Sequence, residues 1–73
     1  MALRDAFASQ QVRRLAREEA AYAVRTRGAG AVDHLRQRAL RSEDAKRRQV
    51  YRIAARIAEV ATAELVTSSG GRP

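Results

Sequence analysis

Seventy-three residues without a cysteine exclude a multidomain chain, a disulfide framework and a thiolate metal centre. The net charge of +7, carried by fourteen arginines and one lysine against eight acids, points toward polyanionic partners. Sixteen of the thirty-three apolar residues are alanine, so the core is thin and self-association or a partner is the expected remedy.

Residues 3–27 hold neither Gly nor Pro and are rich in Ala, Arg, Glu and Gln, which predicts one long helix that starts as late as the cap candidate Ser9. At helical spacing Ala8, Val12, Leu15, Ala16, Tyr22 and Ala23 share a face, and Leu3 and Phe7 fall about a quarter turn away. Ala20, Ala21 and Val24 form a second, small-residue strip, so the helix should have two neighbours. Glu19 falls within the main apolar face and needs a cation there; pairing with an arginine is expected, since no second acid or nucleophile joins it. Thr26-Arg27-Gly28-Ala29-Gly30 ends the helix, with Gly28 suited to a left-handed cap. The two glycines read as a tight turn, because a phosphate loop would also need a lysine and a preceding strand.

The helical pattern resumes at Ala31 with Val32, Leu35 and Ala39, Asp33 being the expected cap. A single continuous helix from residue 31 to 66 would align His34, Arg38, Arg41, Arg48, Arg52 and Arg56 on one ridge of ~33 Å. A break is favoured instead, because Ser42-Glu43-Asp44 looks like a fresh start, a hydroxyl cap followed by two acids, with Glu43 to Arg47 and Asp44 to Arg48 at supporting i to i+4 spacing. The layout is then a long helix at 3–27, a short one at 31–41 and a long one at 43–66, with an irregular tail at 68–73. The expected fold class is all-α, a small helical hairpin or three-helix domain over residues 1–67 that completes its core as a dimeric helical bundle. Val12, Leu15, Tyr22, Val50, Ile53, Ile57 and Val60 are the expected core or oligomer interface.

His34 is the one histidine and no carboxylates pair at metal-binding spacing, while Ser9, Ser42, Ser68 and Ser69 lie at caps or in the tail. No enzyme, metal or cofactor is expected. The basic residues carry the signal: Arg48, Arg52 and Arg56 recur every four positions and so line one helix face, with Arg38, Arg41 and Arg47 close by in the sequence. Between Arg25 and Arg56 ten bases meet three acids. Guanidinium groups so arranged suit phosphates, and the expected function is a non-enzymatic nucleic-acid-binding accessory protein, on DNA or RNA, acting as a homodimer in the cytoplasm. Tyr51 offers a stacking platform beside Arg47.

Three other uses compete. An Ala/Arg-rich composition also follows from a GC-rich coding sequence, and an arginine ladder is by default a solvated helix face. Helix-turn-helix reading over 31–41 and 43 onward is weakened by a turn without Gly and by acids at the start of the second helix. A membrane-surface helix is disfavoured because the apolar side is needed for the core. The main alternative is a protein-interaction module, an adaptor, inhibitor or small subunit whose apolar helix faces a partner covers; there Ala20, Ala21 and Val24 would stay uncovered in the isolated chain.

Overall fold

The structure, a computed structural model, describes residues 9–70. The expectations for Leu3, Phe7 and Ala8, and for the tail at 71–73, lie outside these residues. Three helices follow one another: α1 is Gln10–Arg27, α2 is Ala31–Arg41 and α3 is Ala45–Gly70, with a single 3-10 turn, Gly28–Gly30, between the first two. The fold class is the expected one, all-α in a long, short, long order, and no strand occurs among the described residues.

Each boundary has a local cause. Ser9 is extended (φ −63°, ψ 157°), and its Oγ accepts the Val12 backbone N–H at 3.1 Å, satisfying one of the amides a helix leaves open at its start. α1 stops at Gly28, whose φ of +55° other residues rarely adopt and whose N–H closes onto the Val24 carbonyl. Gly30 has an ordinary φ of −82° and is the residue before α2, so Asp33 sits within the first turn, where its charge complements the dipole, and does not cap.

The junction at 42–44 also differs in its detail. Ser42 is extended (φ −76°, ψ 127°) and ends α2: both its N–H and its Oγ donate to the Arg38 carbonyl, at 3.1 and 2.8 Å. Asp44 starts α3, its carboxylate accepting the Arg47 N–H at 3.0 Å while its carbonyl takes the Arg48 N–H. The cap is therefore two residues later than Ser42. The expected i to i+4 ion pairs do not close; Arg48 donates instead to the Glu43 carbonyl at 3.5 Å. At its far end α3 runs through Thr67 to Gly70, beyond the expected stop, since each further residue adds a bond to a ladder already nucleated.

The chain runs up, down and up. Lys46 at the start of α3 donates to Gln11 at the start of α1 (3.2 Å), so α1 and α3 are parallel. Arg36 meets Glu59 and Arg38 meets Tyr51, so α2 returns antiparallel to α3. The core consists of Val12, Ala16, Ala20 and Ala23 from α1, Ala31, Leu35 and Ala39 from α2, and Val50, Tyr51, Ala54, Ala55 and Ala58 from α3. Alanine contributes most of it, and Leu35 is the one large side chain below 2% exposure among the described residues.

The residues expected as core or oligomer interface divide between the core and the surface. Val12 and Val50 are buried, Ile53 and Ile57 are half-buried, and Leu15 (37%), Tyr22 (62%) and Val60 (63%) are exposed. On α1 and α3 alike, the buried face is turned away from the larger aliphatics toward alanine, because small side chains let two helix backbones approach closely. Of the second strip on α1, Ala20 is buried, Val24 packs partly against the core and Ala21 is exposed. Glu19 ends at the rim of the α1–α2 groove, half-buried beside Tyr22, His34 and Arg38.

Candidate polyanion interface

α3 positions the main cations. Val50, Tyr51, Ala54, Ala55 and Ala58 face inward, so Arg48, Arg52 and Arg56 run along the outer edge of the helix, all exposed, over ~12 Å of its length. α2 lies alongside and adds Arg36 to the same groove. There the buried Ala39 and Ala55 lie beneath, the 85% exposed Leu40 stands at the edge, and Glu59 is the one acid. Arg36 donates to that acid at 3.3 Å, with both side chains more than half exposed. Such a pair contributes little to stability, about 0–1 kcal/mol, but it partly neutralises Glu59 beside the ladder.

The other three expected arginines collect elsewhere. Because the chain reverses at 42–44, Arg38, Arg41 and Arg47 surround a separate hollow with Ser42, Glu43, Asp44 and Tyr51. Two acids share that hollow with three bases. Arg38 is held by Tyr51, its Nη2 donating to the phenol oxygen at 2.9 Å and its guanidinium carbon 5.2 Å from the ring centroid. That hydrogen bond is the main cause of a guanidinium pKa raised further above its ordinary value. Tyr51 is buried under this contact, which removes it as a stacking platform for a base.

The single long ridge does not form: the six arginines divide into a ladder of three and a junction group of three. Arg36 joins the ladder, although its sequence position gave no sign of that. Arg13 and Arg17 of α1 were also missed; with Arg56 they rim a third groove, floored by Ile53 and Ile57. Their spacing of four was a legible signal, the same one that drew attention to Arg48, Arg52 and Arg56.

His34 lines the α1–α2 groove with Glu19, Tyr22, Thr26, Arg27 and Arg38. Loss of hydration lowers its pKa, Arg27 and Arg38 lower it further, and Glu19 opposes them. One imidazole beside one carboxylate is no metal site, and no group of three potential ligands occurs among the described residues. No helix among them is long and apolar enough to cross a membrane. Compared with protein-family models, curated proteins and solved structures, the chain matches none, so its chemistry must be argued from its own residues.

Proposed function

We propose that the protein binds nucleic acid through the α3 ladder, Arg48, Arg52 and Arg56, with Arg36 at its side. One observation carries this reading: three exposed guanidinium groups in a row on a helix held rigidly by its opposite face, in a groove whose single acid already has a cation. Phosphate is the fitting ligand, because arginine forks onto its oxygens and the neutralised counterions are released.

The homodimer that accompanies this reading uses Leu15 and Tyr22, which project from one side of α1 two turns apart. Glu18, Glu19, Arg14 and Arg25 flank that strip, so two copies side by side can match opposite charges. Anisotropy titration of labelled duplex DNA, duplex RNA and single strands at low salt tests the function. Saturable binding that weakens steeply with added salt supports it, and absence of binding at low salt refutes it.

A further inference from the structure

Leu40 stands near the end of α2, at the edge of the groove that holds the ladder. It is 85% exposed, the most exposed large apolar side chain among the described residues, whereas Leu35 on the same helix is 1% exposed. A lone surface leucine needs no explanation in itself, so its setting decides. Arg36 precedes it by about one helical turn on the same edge of α2, and Arg48 and Arg52 line the same groove from α3. Arg48 donates to a neutral acceptor, the Glu43 carbonyl at 3.5 Å, and Arg52 is exposed, so both bring positive charge to the leucine. An aliphatic tip thus stands among the groups proposed to hold phosphates.

We infer that the protein kinks the duplex DNA it binds, with Leu40 as the wedge that enters the minor groove and opens one base step. The inference rests on the proposed phosphate contacts and adds what the protein does to its ligand. A wedge needs an apolar tip with cations at its sides: Arg36, Arg48 and Arg52 hold the flanking phosphates while the leucine displaces stacked base surface. Ala39 beside it is buried in the core, which fixes the backbone from which the wedge projects. Unstacking costs free energy, and burial of the leucine together with the added phosphate contacts of a bent duplex offsets it. Pyrimidine–purine steps, the easiest to open, are the expected sites. The B-form minor groove widens on such a wedge, whereas the A-form one is already wide and shallow, so the kink belongs to DNA. A second copy of this chain is a poor occupant, because an isologous contact at Leu40 would set Arg48 and Arg52 near their own counterparts.

The test uses the full chain and a duplex DNA with a central TA step, donor and acceptor dyes at its ends, and a fluorescent adenine analogue, quenched by stacking, at that step. Saturation with the parent protein should bring the dyes closer and raise the analogue's emission as the base loses its neighbour. Leu40→Ala should bind with the parent's salt slope, since it keeps every arginine, and lose both signals. Leu40→Phe, another apolar wedge, should keep them. Circular dichroism shows whether each variant is folded, and the parent's own two signals decide the question if Leu40→Ala is not. Binding without a change in either signal, or a kink that persists in folded Leu40→Ala, overturns the inference and leaves the phosphate reading standing. A dimer in sedimentation velocity that Leu40→Ala dissociates makes the leucine a contact between copies and overturns it too. Absence of duplex binding at low salt refutes both readings, so the two fail distinguishably.

Discussion

Gly28 is held at φ +55°, ψ −123°, and a Cβ built there meets no atom within 4 Å. The cost of adding one is thus conformational and not steric, on the order of 1–3 kcal/mol for a residue forced into this region. Gly28→Ala should lower the urea midpoint accordingly, and Gly30→Ala, at an ordinary φ, should leave it nearly unchanged. His34 supplies a second test. Its lowered pKa means that the folded protein takes up the proton later than the unfolded chain as pH falls. Stability should therefore decline as pH drops below the usual histidine range of about 6.5 and level off once the folded form has also titrated. In NMR titrations Arg27→Gln should raise the His34 midpoint and Glu19→Gln should lower it, the directions set by their charges. Unmoved midpoints would mean that the imidazole does not sense either group.

At the scale of the helices, alanine decides the packing. Ala16, Ala31, Ala54 and Ala58 are fully excluded from solvent, whereas Val60 and Tyr22 are mostly exposed. Ala54→Leu or Ala58→Leu should destabilise by about 1–3 kcal/mol through overpacking, and Leu35→Ala by about 2–5 kcal/mol through the cavity it leaves. Val60→Ala should fall within about 0.5 kcal/mol of the parent, as surface substitutions do. Urea denaturation of the four variants ranks them; a Val60→Ala loss as large as that of Leu35→Ala would mean that the buried face has been misassigned.

The same alanines explain what the sequence made legible. Helix propensity, the glycines at 28 and 30 and the polar run at 42–44 marked the three elements, because these signals act within a few residues. The rotation of the buried face was legible on α2, where Leu35 and Ala39 are buried, and less so on α1 and α3, since periodicity weights bulky side chains, and here close backbone approach favours small ones. Ser42 was the cap expected to open α3, and only the tertiary path shows that it closes α2 while Asp44 opens α3. For the candidate site, the i to i+4 spacing of Arg48, Arg52 and Arg56 placed them on one edge correctly. Arg36 joins them from α2, which no local pattern reports.

Across the whole molecule, charge is distributed and not merely abundant. No charged side chain is buried among the described residues, so the cations cost the fold little desolvation. The reversal at 42–44 places the ladder and the junction group on different parts of the surface, and at the junction Glu43 and Asp44 lie beside Arg41 and Arg47. Electrostatic attraction to a duplex should therefore centre on α3 and the α2 edge. Replacing Arg41 should weaken binding less than replacing Arg52, a comparison that anisotropy at fixed salt makes directly.

Ladder arginines that bind phosphates as proposed displace counterions from them. The slope of log binding constant against log salt concentration measures this, compared between the parent protein and the Arg48→Gln/Arg52→Gln double variant on the same duplex. The variant slope should be shallower by about 2, close to one ion per arginine removed, with affinity falling alike on unrelated sequences. An unchanged slope in a folded double variant would contradict the account.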